Sequence, residues 1–201
     1  MQRLALCWIL VCALLLPSLF AQADTTAPRV RIQTNQGDMI VELDAVKAPR
    51  TVENFLSYVR AGTYDGTIFH RMINDFVIQG GAYTPNYEAR PMRATVQTES
   101  SNGLKNERGT IAMARDYDPN SATNQFFINL ADNKFLNFHA PKAGYWGYTV
   151  FGRVTEGMDV LDRLHAIQTG PGGPFDKDVP KTQIIINKIS IEPPPPVVQV
   201  A

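Results

Sequence analysis

The sequence has almost no cysteine: of its 201 residues, only Cys7 and Cys12 are cysteines. Both lie ahead of any stretch that reads as a folded domain, so the domain has neither a disulfide framework nor a cysteine nucleophile. Excess charge of either sign is also lacking, with 19 basic residues against 19 acidic. A near-neutral surface gives no electrostatic reason to expect nucleic acid or an anionic membrane as partner. The chain has no Gly-x-Ser-x-Gly elbow, no His-Glu-x-x-His and no phosphate loop. Histidine is scarce, and His70, His139 and His165 are too isolated for metal-ligand spacing. No metal and no cofactor are therefore expected, and His70 is expected to pack or hydrogen-bond inside the barrel.

Long apolar runs occur in one place. Arg3 precedes an unbroken run from Leu4 to Leu16, which Pro17 ends. Ala21-Gln22-Ala23 then offers the small-x-small pattern of a signal-peptidase site, just before Asp24. The run is shorter than the roughly 20 residues a membrane span needs. A signal peptide over residues 1–23, removed on export, is favoured over an uncleaved anchor. Neither cysteine follows the small residue that a lipoprotein signal requires. Removing the first 23 of 201 residues leaves 178, enough for one domain with a sizeable core and carrying 18 basic to 19 acidic residues.

Along that domain, Arg29 to Thr34 alternates apolar and polar residues as a half-buried strand does. Asn35-Gln36-Gly37-Asp38 is a turn signal, and Met39 to Leu43 reads as the second arm of a hairpin. Pro49 and Thr51 open a helix in which Val52, Phe55, Leu56 and Val59 share one face, with Gly62 at its C-terminal cap. A second helix is expected over Met158 to Ile167. Further strands are predicted at 68–73, 77–79, 110–114, 125–130, 148–154 and 183–191. About eight strands and two helices argue for a closed antiparallel barrel rather than alternating βαβ units. The stretch from Ala82 to Arg108 is long, polar and aperiodic, as functional loops often are. Residues 193–201 form a Pro-rich tail expected to be extended and solvated.

Four blocks carry the chemistry. Phe69-His70-Arg71 leads into Phe76-Val77-Ile78-Gln79-Gly80-Gly81; then come Gly109 to Arg115, Ser121 to Ile128, and Tyr148 to Val154. In this order and spacing they closely resemble the signature blocks of the cyclophilin family, and the resemblance runs from about Arg29 to Ile191. It implies a closed eight-stranded antiparallel β-barrel capped by two α-helices, spanning residues 24–192, and cis/trans isomerisation of X-Pro peptide bonds. Matching motif positions makes Arg71 the catalytic arginine and Gln79 its supporting amide. Phe76, Val77, Phe127 and Leu136 become the proline pocket. Ala114 and Arg115 would line the groove and offer backbone hydrogen bonds, and Gln125 would contact the substrate backbone.

The residue types suit that chemistry. The barrier to X-Pro rotation, about 20 kcal/mol, arises from amide resonance, so no covalent bond has to break. A catalyst must grip the proline ring, let the preceding carbonyl swing, and bind the twisted amide better than the planar one. In the twisted state the proline nitrogen regains a lone pair that a guanidinium N–H can approach. Arginine stays charged and presents several donors in a rigid fork. Taken singly, Phe76, Val77 and Phe127 would read as core and Arg71 as a surface charge.

Several positions depart from the best-known eukaryotic members. Phe135 stands where those carry Trp, Tyr148 where they carry His, Arg115 where they carry Asn, and Asn74-Asp75 replaces Pro-Gly. Similar Phe and Tyr replacements occur in exported bacterial members, which implies a periplasmic protein. The loss of the indole N–H at Phe135 argues against tight binding of cyclosporin-like inhibitors. The stretch 137–147 looks longer than the eukaryotic connection. Expected partners are Pro-containing peptides and unfolded exported proteins, with no nucleic acid and no lasting membrane attachment, and nothing requires more than a monomer. A pure binding module, holding Pro-containing segments in the same groove, remains the alternative; it would have no need of Arg71.

Overall fold

The structure, a computed structural model, describes residues 27–193. The signal peptide expected over residues 1–23 and the tail beyond Pro193 lie outside them. Eight strands close an antiparallel barrel in the order β1-β10-β3-β4-β6-β5-β7-β2. They are β1 (Arg29–Thr34), β2 (Gly37–Leu43), β3 (Thr67–Ile73), β4 (Val77–Tyr83), β5 (Thr110–Met113), β6 (Phe126–Asn129), β7 (Val150–Glu156) and β10 (Ile184–Glu192). The expected architecture holds. One element was not anticipated: a separate two-stranded hairpin of β8 (Thr169–Gly172) and β9 (Phe175–Pro180).

The two helices close the barrel's mouths. In α1 (Pro49–Arg60), Val52, Phe55, Leu56 and Val59 are buried as their spacing predicts, and Phe55 reaches Tyr64, Phe126 and Phe151 in the barrel interior. Its C-terminus is a Schellman cap: Gly62 has φ +64°, its N–H donates to the Val59 carbonyl, and the Thr63 N–H to that of Tyr58. Its N-terminus is capped from a distance. The Glu99 carboxylate accepts from the backbone N–H groups of Arg50 (3.1 Å) and Thr51 (2.9 Å) and from the Thr51 hydroxyl (2.7 Å). Helix α2 (Met158–His165) buries Val160, Leu161 and Leu164 over the Gly37 end of β2. It stops two residues short of the expected Ile167, which still packs against the core.

Period-two alternation sorts the strands into two apolar layers. Ile78, Ile111, Met113, Phe126, Ile128 and Phe151 point into the barrel. Val77, Ala112, Phe127 and Val150 point outward and build a second cluster with Leu136, against which Phe76, Leu104, Ala114 and Tyr148 pack.

Candidate active site

The register of the sheet assembles the site. Arg71 on β3 is opposite Gln79 on β4, Gln79 opposite Phe127 on β6, Phe127 opposite Ala112 on β5, and Ala112 opposite Val150 on β7. One row of residues thus crosses five strands on the outer face, at about 4.8 Å per strand. Arg71 joins it through a β-bulge: Phe69 pairs with Gly80 and Arg71 with Gln79, leaving His70 as the extra residue. The bulge resets the in–out alternation, so His70 and Arg71 both face away from the barrel interior.

His70 therefore does not sit inside the barrel, as the sequence had suggested. It lies between the wall and the β8–β9 hairpin, its ring 4.8 Å from that of Tyr83 and 5.5 Å from that of Phe175. Its Nδ1 is buried without a hydrogen-bond partner. Burial, and secondarily the neighbouring Arg71 charge, pull its pKa down to about 4.

Above the row lies a cavity of about 270 Å³ lined by Arg71, Phe76, Val77, Gln79, Ala114, Arg115, Phe127, Leu136 and Tyr148. Gln125 and Phe135 complete the set expected from sequence. The Gln79 Nε2 donates to Gln125 Oε1 at 2.8 Å, and the Phe135 ring stacks on Phe76 at 5.5 Å while remaining exposed at the rim. A neighbouring cavity of about 320 Å³ shares Gln79, Ala114 and Arg115 and continues past Gln125, Ser121 and Thr123. Together they form a groove with an apolar hole at one end and polar walls along the other.

Arg71 Nη1 donates to Gln79 Oε1 at 3.3 Å, so arginine, Gln79 and Gln125 form a chain. With its Oε1 engaged by Gln79, Gln125 steadies that chain from the groove wall. The Ala114 N–H donates to the Gln125 carbonyl, which leaves the Ala114 carbonyl as the group it can offer a peptide. Arg115 folds away from Arg71. Its Nε and Nη2 donate to the Gly147 carbonyl at 3.0 and 2.8 Å, and its guanidinium lies 4.6 Å from the centre of the Tyr148 ring. The 137–147 connection is thereby fastened to the groove.

Sequence reasoning missed the asparagine network under the pocket. Buried Asn133 donates to the Phe76 carbonyl (2.9 Å) and to Asn129 Oδ1 (2.8 Å); Asn129 donates to Asn106 Oδ1, and Asn106 to the Leu136 carbonyl (3.0 Å). Phe76 and Leu136, opposite lips of the hole, are tied through three amides. Asparagine is commonest in turns and on surfaces, so its type alone gave no signal. A larger cavity, about 660 Å³, lies elsewhere, between β2, β7 and residues 104–107, and contains none of the row's polar groups.

A barrel carrying an apolar hole beside a guanidinium fork, at the end of a groove, has a wall to grip a proline ring and a donor to reach the amide beside it. The comparisons agree. A family model described as cyclophilin type peptidyl-prolyl cis-trans isomerase matches residues 29–191. The chain is 51% identical over 162 residues to the peptidyl-prolyl cis-trans isomerase cyp18 of Streptomyces antibioticus, covering 81% of this chain and 97% of that one. It is 48% identical over 162 residues to the peptidyl-prolyl cis-trans isomerase B of Escherichia coli K12, covering 81% and 98%. A crystal structure of a Cryptosporidium parvum cyclophilin type peptidyl-prolyl cis-trans isomerase, in the presence of dipeptide Ala-Pro, superposes with a TM-score of 0.66 at 30% identity, covering 82% of this chain and 99% of that one. This chain belongs to the cyclophilin-type peptidyl-prolyl cis-trans isomerase family, and it is an enzyme of that activity.

Proposed function

We propose that Arg71 is the catalytic donor and that the hole formed by Phe76, Val77, Phe127 and Leu136 seats the substrate proline. The observation that carries this reading is the shared wall: the guanidinium of Arg71 and the ring of Phe127 line one cavity. A proline ring seated against Phe127 has its amide nitrogen on the Arg71 side. As the amide twists, that nitrogen becomes a hydrogen-bond acceptor, and an arginine N–H meets it beside the apolar wall of the hole, where a hydrogen bond counts for more than in open water. Gln79, held by Gln125, keeps the fork from swinging into solvent. Phe135, Tyr148 and Arg115 form the rim, and the Ala114 carbonyl is an acceptor for the peptide backbone.

The substrates on this reading are Pro-containing peptide segments, consistent with the related crystal structure described as in the presence of dipeptide Ala-Pro. The N-terminal run and Ala21-Gln22-Ala23 support export, cleavage after Ala23, and action on exported proteins as they fold, in the periplasm of a Gram-negative cell. N-terminal sequencing of the exported protein is expected to read from Asp24; an intact Met1 would reject it. The catalytic assignment is tested by a protease-coupled assay on an Ala-Pro peptide. Arg71→Ala is expected to lower turnover by roughly 10²-fold, about 2.7 kcal/mol of transition-state stabilisation. Unchanged turnover would remove Arg71 from the mechanism.

A further inference from the structure

The unanticipated hairpin brings a charge to the active site. Asp178, on β9, places its carboxylate Oδ2 at 3.8 Å from Arg71 Nε, on the side of the guanidinium opposite the Nη1 that faces Gln79. The pair is partly sheltered, with side-chain exposures of 38% for Arg71 and 23% for Asp178. Asp178 has φ +64°, a left-handed conformation uncommon for any residue but glycine and tolerated best by aspartate and asparagine.

The hairpin is firmly seated. Phe175 packs edge-on against Tyr83 and Tyr87 and, with its ring tilted by 30°, against His70, the residue that the bulge turns outward beside Arg71. Tyr87 presses on Gly173 so closely that an added Cβ would lie 2.3 Å from its ring. At the base, the Lys181 N–H donates to the Gln168 carbonyl at 2.8 Å. The carboxylate is thus presented from a braced element.

We propose that Asp178 is a positioning residue for catalysis: its carboxylate and the Gln79 amide hold the Arg71 fork from two sides. A long arginine side chain has many rotamers, and each one removed leaves more of the population aimed at the proline nitrogen. The proposal rests on Arg71 being the donor, and it extends the site to a hairpin separate from the barrel sheet.

The test uses Asp178→Asn, which keeps size and tolerance of positive φ while removing the charge. Its kcat on an Ala-Pro peptide is expected to fall about three- to tenfold with KM unchanged, since the proline hole is untouched. In an Arg71→Ala background the same substitution is expected to add no further loss, because it acts through Arg71. Nitrogen-15 NMR is expected to show the Arg71 Nε–H resonance shifted in Asp178→Asn, with the far-UV spectrum unaltered. A kcat indistinguishable from the parent's, a change in KM alone, or an equal loss without Arg71 would overturn the proposal. If Arg71→Ala itself leaves turnover unchanged, the catalytic reading fails first, so the two failures are distinguishable.

Discussion

At the scale of single residues, His70 shows how neighbours set a role. Its place between Arg71 and an aromatic cluster keeps the imidazole neutral, with a pKa near 4 against about 6.5 in an unfolded chain. Between those values the unfolded chain binds a proton that the folded one refuses, so stability falls as pH drops. It is complete above pH 6.5 and bottoms out below 4, a loss on the order of 3 kcal/mol from this residue. Urea unfolding at pH 7.5 and 4.5 is expected to show a gap narrower by about 2 kcal/mol in His70→Gln than in the parent; equal gaps would contradict it. The Phe-His-Arg motif was legible as a block, and Arg71, Gln79, Phe76, Val77, Phe127 and Leu136 all line or border one groove. The direction of His70 was not legible, because a bulge is a property of two paired strands and leaves no mark in one strand's alternation.

At the scale of elements, local signals were readable where they carried their own punctuation. Helix α1 announced itself through Pro49, its apolar face and Gly62. Its N-terminal cap was hidden, since Glu99 comes from a loop 48 residues beyond Thr51. That contact also tethers the long 84–109 connection, whose Thr149 and Val150 contacts run through Glu99 and Asn102. Glu99→Ala is expected to destabilise the protein by about 2 kcal/mol, the loss of a charged cap on two N–H groups and a buried hydroxyl. A chemical-denaturation midpoint unmoved by the substitution would show the cap to be incidental. The β8–β9 hairpin escaped notice for a different reason. Its sequence, rich in glycine, proline and charge, lacks strand alternation and is held by Phe175 and Tyr87 packing at long range.

At the scale of the whole molecule, the barrel acts as a ruler. Its inner layer closes around aromatic rings under α1, and its outer layer is left to present one row, Arg71 to Val150, across five strands. No short stretch of sequence contains that row; it exists only once β3, β4, β6, β5 and β7 are paired. The asparagine network then fixes the two lips of the hole, and the hairpin closes on the far side of the arginine. The central claim is that this groove both holds proline and, through Arg71, turns it. Exchange NMR of an Ala-Pro peptide at equilibrium with the enzyme tests binding and turnover together. The account predicts that Arg71→Ala abolishes the exchange cross-peaks between cis and trans while peptide-induced shifts at Phe127 persist. Cross-peaks that survive at parental intensity would contradict it.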